Sequence, residues 1–88
     1  MQLDSIRNQI REYIINDILF HSAEIEGDTS LLGEGILDST GGLEMVLFLE
    51  SHFGIDVEED DVVPDNFDSL NALSAFVERK QRSMPERR

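Results

Sequence analysis

Cysteine and tryptophan are absent from the 88 residues, and proline and histidine occur only twice each. Without cysteine there is no disulfide framework, no thiolate zinc site and no cysteine nucleophile. That composition fits a reducing compartment, so a cytoplasmic location is expected. No apolar run approaches the ~20 residues needed to span a bilayer. The opening Met1-Gln2-Leu3-Asp4 lacks the basic region and apolar stretch of a secretory signal. Positive charge is scarce as well, with 7 Lys and Arg against 19 Asp and Glu and a net charge of −12. Between residues 12 and 78 there are 17 acids and no Lys or Arg, whereas residues 79–88 sum to +4. A 67-residue acidic stretch cannot neutralise nucleic-acid phosphates and is repelled by an anionic bilayer, so neither is an expected partner. A basic protein surface would attract it and speed encounter.

Hydrophobic residues make up 40% of the chain, which is too many for a disordered acidic tail and enough for one small core. Leu3, Ile6, Ile10, Tyr13 and Ile14 recur at helical spacing and predict a helix over 3–20, with Asp4 or Ser5 as its cap. Residues 21–38 read as a long loop punctuated by Gly27, Gly33 and Gly35 and pinned by Ile25, Leu31, Leu32, Ile36 and Leu37. A second helix is expected over 39–53, stopped by Gly54. Asp60–Val63 would form one helical turn ended by Pro64, and Asp68 would cap a last helix over roughly 69–81. Nothing alternates with the period of two that a half-buried strand requires. The expected fold class is therefore all-α: a small four-helix bundle of three main helices and one short one, with a long loop after the first helix. The expected domain is residues 1–82, a monomer, with a frayed basic tail over 83–88.

The second helix has two competing apolar arcs. Met45, Val46, Leu49 and Phe53 share an uncharged arc, whereas the arc of Leu43, Val46 and Leu47 has Glu50 in its middle. Burying Glu50 unpaired would cost several kcal/mol. The first arc is therefore assigned to the core. Leu43 and Leu47 are left near the surface beside Thr40 and Glu44, either as a docking strip for a partner or covered by the first helix or the long loop, with the docking strip favoured.

No catalytic constellation can be assembled. Ser39 and His52 lie on one helix, about 20 Å apart along its axis, which excludes a direct pair. His21 has no neighbouring motif and reads as a surface residue. A calcium loop starting at Asp56 would put Asp61 where glycine is needed and Phe67 where the bidentate glutamate belongs. Gly33 and Gly35 match neither phosphate-binding fingerprint.

One segment carries more information. Gly35-Ile36-Leu37-Asp38-Ser39 places a serine where a glycine-containing loop meets an amphipathic helix. Asp38 or Ser39 can act simply as the cap. The same position also offers free N–H groups and the positive end of a helix dipole, where a phosphate is stabilised. This segment, followed by Leu43-Glu44-Met45-Val46, Glu50, Phe53-Gly54-Ile55 and Asn66-Phe67-Asp68-Ser69-Leu70, resembles the acyl carrier protein family and its peptidyl carrier relatives along nearly the whole chain.

The resemblance implies that Ser39 carries a 4′-phosphopantetheine arm, donated by coenzyme A and installed by a phosphopantetheinyl transferase. The arm's thiol would hold acyl or aminoacyl groups as thioesters and present them to loading and biosynthetic enzymes with basic docking surfaces. The domain itself would catalyse nothing. The resemblance also implies that the serine-led helix is the recognition helix. Asp38, Thr40, Leu43, Glu44 and Leu47 would then be docking residues, with Glu50 a weaker candidate.

The chain departs from the family pattern at Thr40-Gly41-Gly42, where the residue after the serine is usually apolar. Two glycines in a helix cost about 1 kcal/mol each relative to alanine, which predicts a loose or late-starting first turn. The alternative that this departure favours is an acidic helical interaction module of another kind, with Ser39 only a cap.

Overall fold

The computed structural model describes residues 2–19, 25–37 and 39–83. Helix α1 (Gln2–Tyr13) continues as a π-helix, Ile14–Leu19. Helix α2 is Ser39–Phe53, a 3₁₀ turn covers Glu59–Asp61, α3 is Pro64–Phe67, and α4 is Leu70–Ser83. The described residues contain no strand, so the all-α expectation of three main helices and a short fourth is the observed fold.

Ile6, Ile10 and Ile14 recur every fourth residue and form a stripe that is 0–3% exposed, with α1 packed along α4. From α4, Leu70, Leu73, Phe76 and Val77 fill the other side of the core, and from α2 it receives Met45 and Leu49. Val46 and Phe53, expected in the core, are only partly buried against it.

Several local expectations are corrected. Helix α1 begins at Gln2, so Asp4 and Ser5 lie inside it; Asp4 pairs with Arg7, and the Ser5 hydroxyl accepts from Gln9. Its last turns widen into the π form, where bonding to the fifth residue replaces the 3.6-residue repeat that a periodicity reading assumes. Pro64 starts α3 rather than ending a turn before it. Its missing N–H costs nothing at a first helical position, and its fixed φ suits that place. Asp68 does not cap α4. Ser69 does, its hydroxyl accepting from the Ala72 N–H at 3.0 Å, because the Asp68 carboxylate is committed elsewhere.

That commitment orders the long loop. Both Asp68 oxygens accept from the Ser30 hydroxyl at 2.9 Å, one also accepts from the Leu32 N–H, and the Asp68 carbonyl accepts from the Leu31 N–H. Leu31, Ile25 and Leu37 are buried as expected, Ile36 is half-buried, and Leu32 is exposed. Gly27 lies so close to α4 that an added Cβ would stand 2.4 Å from the Asn71 side chain. Its carbonyl also accepts from the Asn71 N–H. The end of α2 follows the expectation: Gly54 takes φ +70, and its N–H donates to the Glu50 carbonyl. His21, the junction residue Asp38 and the basic tail from residue 84 onward lie outside the described residues.

Candidate functional site

Helix α2 begins at Ser39, so the glycines at 41 and 42 do not delay its start. The Ser39 and Thr40 side chains lie outside the described residues, as does the expected cap Asp38. Ser39 therefore occupies the first position of a 15-residue helix, at the end of the ordered loop. The first turn of any such helix presents N–H groups that find no acceptor within it, together with the positive end of its dipole.

Further along α2, Leu43 and Leu47 are 69% and 65% exposed, and Glu44 is exposed beside them. These three expected docking residues share one outward face of the helix. Glu50 is placed differently. It is half-buried, and its carboxylate accepts from the Val57 N–H at 3.0 Å, tying α2 to the connector that follows. Its observed role is in the fold.

Next to the opening of α2 lies an apolar groove of about 530 Å³. Its α2 wall is Gly42, Leu43 and Val46, and Leu37 and Phe67 form its buried floor. Leu32 from the loop, Val62 and Val63 from the connector and Pro64 at the start of α3 close the far side. Every lining residue is apolar. Four of the five large exposed hydrophobics among the described residues belong to this groove.

Sequence reasoning missed the groove. Leu32, Val62 and Val63 lie in irregular segments, where apolar residues carry no period to assign them a face. The one signal in the sequence is the adjacent pair Val62-Val63 ahead of Pro64, too apolar for a solvated connector.

The connector is held by electrostatics. Asp61 pairs with Lys80 at 2.8 Å, and its carboxylate also accepts from the Glu58 N–H. The Lys80 hydrogen bond, followed by the Glu58 backbone bond, holds the Asp61 carboxyl below its usual range. Asn66 donates to the Asp61 carbonyl and accepts from Arg79, fastening the same corner to α4.

On the α1 side of α2, the Tyr13 and Phe48 rings stack at 4.1 Å, and the His52 ring stacks on Phe48 at 4.8 Å. His52 also contacts Gln9 through Nε2 at 2.5 Å. Burial, then the nearby charges of Glu44 and Asp17, pushes the Tyr13 phenol up. His52 is thus engaged at the far end of α2 from Ser39, and no group of three or more metal-ligating side chains occurs among the described residues.

An acidic helical bundle with a serine opening its second main helix after an ordered loop has the form of a small carrier domain. Comparison with known proteins defines the class. The chain is 32% identical over 78 residues to the D-alanyl carrier protein of Lacticaseibacillus rhamnosus, spanning 80% of this chain and 96% of the relative. It belongs to the acyl and peptidyl carrier protein family. A chain in a solved structure, "Crystal structure of FAD-dependent dehydrogenase", superposes with a TM-score of 0.72 at 28% identity, covering 77% of this chain and 97% of that one. No family model matches. No helix among the described residues is long and apolar enough to cross a membrane.

Proposed function

We propose that this carrier protein holds acyl or aminoacyl intermediates as thioesters on a 4′-phosphopantetheine arm esterified to Ser39. The observation that carries this reading is the position of Ser39 as the first residue of α2, at the end of the loop that Asp68 fastens. The site fits a phosphodiester: the first-turn N–H groups and the helix dipole favour the added negative charge. The arm, when attached, supplies the thiol that a cysteine-free chain lacks.

The roles of the protein's own residues follow from their placement. The loop and α2 present the serine to a transferase. Leu43, Glu44 and Leu47 offer an apolar and acidic strip to basic partner enzymes, and Asp38 and Thr40 are further docking residues on the family resemblance. The Glu50 tie to Val57 keeps α2 and the connector in register. On this reading the domain is a substrate of its transferase and performs no chemistry of its own, and a tether raises the local cargo concentration at each partner.

The D-alanyl relative favours an aminoacyl cargo over a fatty acyl one. The likeness to a chain solved under the name of an FAD-dependent dehydrogenase makes a flavin dehydrogenase the first partner class to try. The reading is tested by incubating the protein with coenzyme A, magnesium and a broad-specificity phosphopantetheinyl transferase. A gain of one phosphopantetheinyl unit in the intact mass is expected. An unchanged mass with several transferases would refute it.

A further inference from the structure

Two aromatic clusters differ in what surrounds them. Phe67 and Phe76 lie in the core with ring centroids 5.7 Å apart, and α4 places its own cations over Phe76, Arg79 at 5.9 Å and Lys80 at 5.8 Å from the ring centroid. Tyr13, Phe48 and His52 instead form a stack that reaches the surface, with Tyr13 and Phe48 half-buried and His52 exposed. Phe53 braces it, standing edge-on to both Phe48 and His52, and the contact of His52 with Gln9 ties it to α1. The stack is therefore formed before any partner arrives.

Around this stack the chain places acid and no base. It lies in a shallow hollow of about 300 Å³ whose other lining residues are Gln9, Glu12, Asn16 and Asp17. The charges of Glu44 and Asp17 reach the Tyr13 phenol. The bases closest in sequence, Arg7 and Arg11, line a different cleft, where they bond to Asp4, Asn8, Asn71 and the Ile25 carbonyl. A ring face attracts a cation, and carboxylates at its edge add to that attraction. Asn16 and Asp17 come from the π-helical end of α1, a form that is rare overall and frequent at functional sites. The hollow also adjoins the outward face of α2: Glu44, Phe48 and His52 recur every fourth residue in the row beside Leu43 and Leu47. A protein seated on those leucines has the stack within reach.

We propose that the Tyr13–Phe48–His52 stack is a docking site for an arginine side chain of a partner protein, with the guanidinium flat on an outer ring face and its N–H groups turned to Glu12 and Asp17. Arginine fits better than lysine because its planar group stacks and its fork of donors serves two carboxylates. A flat anion such as a nucleotide would be repelled by the same acids. The site lies towards the opposite end of α2 from Ser39, and the inference stands without the arm.

The test titrates the full chain, unloaded, with the peptide acetyl-Gly-Arg-Gly-amide and with its citrulline analogue, which has nearly the same shape and no charge. Salt is held at about 0.15 M to screen diffuse attraction, and the aromatic ring signals are followed by NMR. The arginine peptide is expected to shift the Tyr13, Phe48 and His52 ring signals saturably and to bind about fivefold or more tighter than the citrulline peptide. Phe48→Leu, which keeps an apolar side chain and removes the ring, is expected to weaken binding about threefold or more. The double variant Glu12→Gln with Asp17→Asn, at two exposed positions, is expected to weaken it about twofold or more, and it decides alone if Phe48→Leu does not fold. Equal binding of the two peptides, undiminished binding in the double variant, or shifts spread equally over the acidic connector at residues 58–61 overturns the inference. Ring signals that move with protein concentration alone assign this face to a second copy of the chain and overturn it as well. Failure of Ser39 to accept an arm bears on the carrier reading and leaves this outcome unchanged.

Discussion

Leu47 and Leu49 stand two residues apart on α2, yet one is 65% exposed and the other is fully buried. The contrast extends to whole helices. Helices α2 and α4 have almost equal lengths, 15 and 14 residues. Every large apolar residue of α4 lies in the core, whereas α2 gives Met45 and Leu49 to the core and keeps Leu43 and Leu47 outside. A helix that serves only the fold buries its leucines. On the function proposed above, a helix that leaves two of them in water beside a glutamate, one turn and two turns beyond a serine at its start, serves contact with partner enzymes.

The sharpest way to break the comparison is to truncate leucines on both sides of it. Leu73→Ala and Leu49→Ala are expected to cost about 2–5 kcal/mol in urea unfolding, since both side chains are fully buried. Leu47→Ala should stay within about 0.5 kcal/mol of the parent. It should also raise the KM of transferase loading about fivefold or more, the mark of an interface contact worth about 1 kcal/mol. Equal stability losses for Leu47 and Leu49 would erase the distinction.

Asp68→Ala comes next. It removes the acceptor of the Ser30 hydroxyl and the Leu32 N–H, and a loss of about 1.5–3 kcal/mol is expected for charge-assisted bonds of this kind. Smaller and opposite in sign is Gly42→Ala, expected to stabilise by up to about 1 kcal/mol because the site is helical and open. Gly54→Ala should destabilise instead, since φ there is +70.

The smallest effect concerns pH. The Asp61 carboxyl is held below its usual range by Lys80 and Glu58. Its contribution to stability is therefore complete above the unfolded carboxylate pKa and is lost as pH falls through the lower folded value. Asp61→Asn should lower the melting temperature slightly near neutrality, and the difference from the parent should vanish as acid protonates the parent carboxyl.

The main helices and their inward faces are legible because long amphipathic periods leave a clear record in sequence. Ile6, Ile10 and Ile14 fix the α1 stripe, and Glu50 in the wrong arc fixes the rotation of α2. That ground alone puts Leu43 and Leu47 outside, and the structure has them there. The failures arise where one side chain has two suitors. Asp68 reads as a helix cap from its neighbours in sequence, but a loop 36 residues earlier supplies Leu32 and takes its carboxylate, leaving the capping to Ser69. The bond from the Val57 N–H to Glu50, a weaker docking candidate by resemblance, is likewise a tertiary contact that local sequence does not announce. The groove is illegible for a related reason: its walls come from three segments that only tertiary structure brings together.

The central claim, that Ser39 is the attachment point, is tested most directly by loading the parent and Ser39→Ala side by side with coenzyme A and transferase, then digesting both. The account predicts a gain of one phosphopantetheinyl unit in the parent, confined to the peptide containing Ser39, and none in the variant. An equal gain in Ser39→Ala would contradict it.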